Sequence, residues 1–363
     1  MKRIGLLLLV SLFFGTLSAQ VNFRDITLEE AFEAAKKEGK LVFVDCNTPW
    51  CTGCKIIDYE FSRAKEFGQL MNNLFVCVTY NMESEYGKTI KKRYNVCVYP
   101  TFLFLRPDGS LQQEFTSGSN IETFAERFWK AVNPYTCYAN LDARYKAGER
   151  NVHFLSTYYE CFKSMGWDRE MNEVKEELWS RLSDKEKIAR FELLFQEGVK
   201  EGTKEMEFLV ANRDEFRKEH GERKVNRSLI SDIALKVNQV IFKRDTTVTA
   251  KQLEQWKQTA KDREVLDENF QFRLDLAKAT LAGGSKAILK VCKKNLKNPE
   301  KDLMTDMLRL YSLQAEEAKE IAAWIELGKE LLPYMSTSGF MGRKSDKDQL
   351  AEFIKELEEK LKQ

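Results

Sequence analysis

Nearly every strand signal in this 363-residue sequence falls in its first third, and that asymmetry limits the fold more than any other feature. Between residue 22 and about residue 133, apolar runs of strand length alternate with helical stretches. Thr27-Leu28-Glu29-Glu30 is a capping-box start for a helix through Lys37, closed by Gly39. Leu41 to Cys46 reads as a buried strand and Leu74 to Tyr80 as a second. A charged helix follows over roughly Glu83 to Tyr94, and a third strand opens at Pro100-Thr101. Arg106-Pro107-Asp108-Gly109 is a turn into Leu111 to Thr116, and Ile121 to Val132 reads as a closing helix. The pattern predicts a mixed α/β sheet covered on both faces. From about Cys137 strand patterns nearly vanish. Phe154, Leu155, Tyr158, Tyr159, Phe162 and Met165 keep to one helical face, as do Leu350, Phe353, Ile354, Leu357 and Leu361. The expected organisation is an α/β domain over 20–135 and an all-α domain of about ten helices over 136–363. Stacked helix pairs would make the latter solenoid-like, although no clean 34-residue period runs through it.

The first residues are Lys2-Arg3, an apolar run from Ile4 to Phe14, and Gly15-Thr16-Leu17-Ser18-Ala19. They read as a signal peptide over 1–19 cut after Ala19, with a retained anchor as the other reading. The run is short for a membrane span, and no cysteine for a lipid anchor lies at the cut. The chain carries 58 basic and 56 acidic residues, and Lys2 and Arg3 leave with the peptide, so the mature protein is neutral. Neutrality gives no argument for nucleic acid or an anionic membrane as partner. Export to the periplasm or beyond permits disulfides, but the eight cysteines are sparse and irregular for a disulfide scaffold.

Trp50-Cys51-Thr52-Gly53-Cys54-Lys55 stands where the Leu41 strand gives way to a helix. Unpaired N–H groups at a helix start stabilise a thiolate on the first cysteine, and the thiolate is what attacks a disulfide. Half a zinc site, a metal-carrier loop and a short structural disulfide compete with this redox reading. Zinc needs four ligands, and no second Cys or His pair at suitable spacing exists in the sequence. Asp45, on the buried strand, would have its charged form disfavoured, which suits a group that takes the Cys54 proton near neutral pH. Its other reading is a strand-end cap. A cis bond at Tyr99-Pro100 would turn the Tyr99 backbone toward an extended substrate chain; an ordinary trans proline at a strand start is the alternative. Trp50 would shield one side of the thiol pair, or simply pack.

Val44-Asp45, the Cys51–Cys54 segment, Arg93-Tyr94-Asn95-Val96, Pro100-Thr101, the Asp108-Gly109 turn and Gly118 together resemble the thioredoxin family. Ala34 to Asp45 is most similar to the branch containing the thioredoxin-like domain of the exported thiol reductase DsbD. The resemblance covers roughly residues 22–133; the helical remainder resembles no family with comparable specificity. It implies a central sheet with flanking helices, Cys51 as nucleophile, Cys54 as resolving thiol, Asp45 as buried proton acceptor and Pro100 as cis-proline. It also implies Trp50 as a shielding aromatic and Gly118 as the flat rim of a substrate groove, while Tyr99, a departure from the family, is bulky beside the cysteines and would narrow the range of accepted partners. Thr52-Gly53 replaces the usual Gly-Pro, no histidine lies between the cysteines, and the lysine that often accompanies the buried aspartate is replaced near Thr79. A missing imidazolium disfavours a strongly oxidising couple.

Cys46, Cys77, Cys161 and Cys292 read as buried apolar residues, Cys77 on an interior strand. Cys97, three residues before Pro100, reads as a thiol near the site edge, and Cys137 is a candidate to pair with Cys161. The leading expectation is a cell-envelope thiol-disulfide oxidoreductase acting on protein thiols and disulfides. It is a reductase rather than an oxidase, without metal or organic cofactor, and draws on a membrane electron donor. The alternative is an interaction module whose helical part binds a client protein.

Overall fold

The computed structural model describes residues 20–116, 120–195, 199–338 and 344–362. The leader read at 1–19 and Gly118 lie outside them. Helix α1 (Leu28–Glu38) opens with the predicted capping box. Thr27 accepts from the Glu30 N–H and Glu30 accepts from the Thr27 N–H, and Gly39 closes the helix at φ 66°. Then follow β1 (Leu41–Asn47), α2 (Thr52–Arg63), α3 (Lys65–Leu74), β2 (Phe75–Asn81) and α4 (Glu85–Tyr94). Strands β3 (Thr101–Leu105) and β4 (Leu111–Thr116) form a hairpin across the Arg106–Gly109 turn, and α5 (Ile121–Val132) follows.

The sheet order is β2-β1-β3-β4, with β1 parallel to β2 and the other two pairings antiparallel. Strand alternation divides the core. Val42, Val44 and Cys46 face Leu28, Ala31 and Ala35 of α1, with Leu103 and Ile90, on one side. Phe43 on the other side joins Phe61 of α2 and Phe124 and Phe128 of α5. That second layer is aromatic: Phe124 meets Phe61 and Phe102 edge-on, each at 4.9 Å. Cys77 is buried as expected but not on an interior strand. Its strand β2 ends the sheet, and the bridge from Phe23 covers it.

The change of texture near residue 136 is a change of secondary structure. The chain's two compact units are Met1–Ser183 and Asp184–Gln363. Helices α6 (Tyr138–Lys146), α7 (Val152–Met165) and α8 (Asp168–Arg181) belong to the first, where α6 and α7 pack on β4. The expected apolar face of α7 is buried throughout. Trp167 Nε1 donates to Glu114 at 2.7 Å, and the Tyr138 N–H donates to Gln113 at 2.6 Å. Burial raises the Glu114 pKa to about 6, against the Trp167 hydrogen bond.

The second unit is all helix among its described residues. It holds α9 (Asp184–Ala189), α10 (Phe191–Leu194), α11 (Lys204–Ala211), α12 (Arg213–His220), α13 (Glu222–Ile241) and α14 (Ala250–Asp262). After these come α15 (Glu268–Ala282), α16 (Ser285–Lys294), α17 (Lys301–Tyr311), α18 (Ala318–Leu331) and α19 (Asp346–Lys362). The expectation of about ten helices after residue 136 was low: the break at Gly221 is where the polar link Glu219-His220-Gly221-Glu222 places it, but single residues such as Arg190 and Asn212 also separate short helices that run together in the sequence pattern. On α19, Leu350, Ile354 and Leu357 are buried, whereas Leu361 sits exposed on the last turn.

Candidate active site

The site is built where β1 ends. Thr48 to Trp50 turn the chain, the Cys51 N–H donates to the Thr48 carbonyl at 3.1 Å, and α2 starts with Cys51 as its N-cap. The Cys51 Sγ accepts from the Cys54 N–H at 3.0 Å. Cys51 and Cys54 are joined by a disulfide with their Cα atoms 5.3 Å apart. The sulfur of Cys51 therefore lies at the positive end of a helix, next to an amide donor, where reduction would leave a stabilised thiolate.

Strand β3 brings the second part of the site. It pairs with β1 so that Thr101 stands opposite Cys46, which sets Pro100 beside the start of α2. The Tyr99–Pro100 bond is cis. A Cβ built on Gly53 would come within 3.2 Å of Pro100 Cδ, a tight contact, so the proline ring packs against Gly53, the second of the two residues between the cysteines. The Tyr99 N–H and C=O have no hydrogen-bond partner among the described residues. Trp50 is 63 % exposed, meets the Tyr99 ring edge-on at 5.8 Å and is held by Glu83, which accepts from its Nε1 at 2.8 Å. An exposed aromatic wall therefore stands beside an unpaired stretch of backbone next to the disulfide.

Asp45 lies beneath, on the aromatic side of the sheet and opposite Thr79. One carboxylate oxygen accepts from Thr79 Oγ1 at 3.0 Å and from Asn47 Nδ2 at 3.4 Å; the other is buried without a partner among the described residues. Burial raises its pKa to about 7, and Asp58 adds to the rise, while the Asn47 and Thr79 hydrogen bonds oppose it. Thr79 stands where a lysine would offer an offsetting charge, and no cation among the described residues opposes the rise. The Asp58 carboxyl, on α2, lines the same cavity of about 350 Å³ as Asp45, Asn47 and Thr79, and its own pKa is raised by desolvation.

Cys51, Cys54, Asp45, Trp50, Tyr99 and Pro100 thus belong to one end of the sheet. Asp58 was not anticipated. Its signal was available: it follows Cys51 by seven residues and Cys54 by four, which places it on the cysteines' face of a helix. Cys97 is exposed near this end, with its Sγ 3.3 Å from the Asn95 carbonyl oxygen. Cys137 and Cys161 are both buried and free, so the candidate pairing is not made here. Cys46, Cys77 and Cys292 are buried free thiols, as expected.

A family model described as Thioredoxin-like matches residues 23–107. The thiol:disulfide interchange protein DsbD of Yersinia pestis is 31% identical over 93 residues, covering 25% of this chain and 16% of that protein. A protein disulfide-isomerase of Hordeum vulgare is 24% identical over 131 residues, 36% of this chain and 25% of that one. The solved DsbD C-terminal domain of Neisseria meningitidis, in its oxidised form, is 20% identical and covers 28% of this chain and 90% of that one, with TM-score 0.25. Residues 23–107 are a thioredoxin-like domain; the chain spans about a sixth of the DsbD protein it matches.

Proposed function

We propose that the chain is a thiol-disulfide oxidoreductase of the cell envelope, working on protein partners and in the reducing direction. The observation that carries it is the Cys51–Cys54 disulfide at the start of α2, with cis-Pro100 packed on Gly53. In the reduced enzyme the Cys51 thiolate attacks one sulfur of a partner disulfide. A mixed disulfide forms and the other partner sulfur leaves as a thiolate. Asp45 then takes the Cys54 proton, and Cys54 attacks Cys51 Sγ. The second partner sulfur is released, so two electrons have passed to the partner and Cys51–Cys54 is oxidised. Tyr99 backbone groups would pair with the extended partner chain, and Trp50 and Tyr99 would bound the groove. This exchange needs the cysteine couple alone, without metal or organic cofactor. Return to the dithiol state requires an electron donor, for which a membrane thiol transporter is the fitting class.

The absence of an imidazolium between the cysteines supports the reducing direction. The basic and apolar leader supports the envelope location. The protein should accelerate insulin reduction by dithiothreitol. Cys51→Ser should abolish this, and Cys54→Ser should accumulate partner proteins disulfide-linked through Cys51. Failure of both acceleration and trapping would refute the assignment. A second reading, a client-binding module with a secondary redox pair, draws on the separate helical unit Asp184–Gln363. Full cellular function in a Cys51→Ala/Cys54→Ala variant would favour it.

A further inference from the structure

The helical unit carries a groove of about 970 Å³ bounded by the first half of α13, the chain after α14 and the start of α15. Its floor is apolar, formed by Ile230, Val265, Leu266 and Phe270, of which Val265 and Phe270 are buried. The charges around it are unevenly committed. Glu264 is paired to Arg213 at 2.8 Å and to Arg217 at 3.1 Å. Glu300 accepts two hydrogen bonds from Arg273, and Asp267 caps α15 by accepting from the Phe270 N–H. Glu222 remains uncommitted in the first turn of α13, where the helix end favours a carboxylate. Against it stand Arg223 and Arg227, both lining the groove and neither with a hydrogen-bond or ion-pair partner among the described residues.

The geometry points to a docking site for an extended acidic peptide. Arg223 and Arg227 are one helical turn apart, about 6 Å between Cβ atoms. In an extended chain, side chains two residues apart share a face at a spacing of about 7 Å. Two carboxylates at alternate positions therefore match the two guanidinium groups, each able to engage a carboxylate with two hydrogen bonds. The residue between them points the other way, across the groove toward Leu266 and Phe270 on the wall that faces α13, so it should be apolar. The groove volume lies in the range of built ligand sites. This site is independent of the redox reading, since it uses none of the cysteines.

The test is fluorescence anisotropy on the full-length protein with fluorescein-labelled peptides of about ten residues. One alternates glutamate with leucine and the other lysine with leucine. The Glu–Leu peptide should bind saturably and the Lys–Leu peptide at least about tenfold more weakly, and the affinity should fall steeply with salt. R223E/R227E should weaken the Glu–Leu peptide at least about tenfold, while R223K/R227K retains part of it. Both side chains are exposed, so circular dichroism and insulin reduction should be unchanged in these variants. Absence of saturable Glu–Leu binding, equal binding of the Lys–Leu peptide, or indifference to R223E/R227E would overturn the proposal. So would a site that holds the polyanion heparin through these arginines but not the peptide.

Discussion

Asp45 is where a single side chain bears most on both stability and chemistry. Its carboxyl is buried and its pKa is raised from 3.8 to about 7. A carboxyl raised in this way prefers its proton in the folded state. Its contribution to stability is complete below about pH 4 and is lost as pH rises through 7. Asp45→Asn removes that titration. The oxidised variant should therefore gain stability over wild type as pH rises from 4 to 8, by on the order of 2–4 kcal/mol at the upper end. Urea unfolding at a series of pH values measures this, and parallel pH profiles would contradict it. The same substitution should slow resolution of the mixed disulfide by about 10²-fold, because Cys54 loses its proton acceptor. Much of this site was legible in the sequence, since Asp45, the cysteines and Pro100 lie at spacings that one strand, one turn and one helix start dictate. Asp58 and the packing role of Gly53 were not drawn out, because each depends on what lies across from it in space.

At the level of elements, the sheet holds α2 and α5 through the aromatic layer. Phe124 of α5 lies within 6 Å of Phe43, Phe61, Phe67, Phe102 and Phe115, ring centre to ring centre. Phe124→Ala should cost about 3–5 kcal/mol in denaturant unfolding. A loss below about 1 kcal/mol would show that the layer repacks and that α2 is not anchored through it. Where the sequence marks bounds, between residues 27 and 132, they hold to within a residue or two, since period and capping residues agree there; the division into α2 and α3 was not readable. The surroundings of β4 were not readable. Gln112, Gln113 and Glu114 look like the polar edge of a sheet, yet all three are buried. Their partners, Arg106, Tyr138 and Trp167, are reached through the turn or through helices that follow later in the chain.

At the level of the whole molecule, the two compact units predict how the chain can be cut. A fragment of residues 20–183 keeps α6 and α7 on β4 and α8 on α7, and should unfold cooperatively with the Cys51–Cys54 couple active. A fragment ending at residue 135 strips the partners of Gln113 and Glu114 and should be less stable by about 2 kcal/mol or more. Equal stability of the two would contradict the packing described for β4. The account as a whole stands on Cys51 and Cys54 being an exchanging couple rather than a structural link. Equilibrating the full-length protein in thiol–disulfide buffers of graded potential, and counting alkylated Cys51 and Cys54 by mass, tests that directly. The account predicts a reversible two-electron titration with a midpoint nearer about −270 mV than about −120 mV. A midpoint near −120 mV would contradict the reducing direction, and a bond that stays oxidised well below about −300 mV would contradict exchange itself.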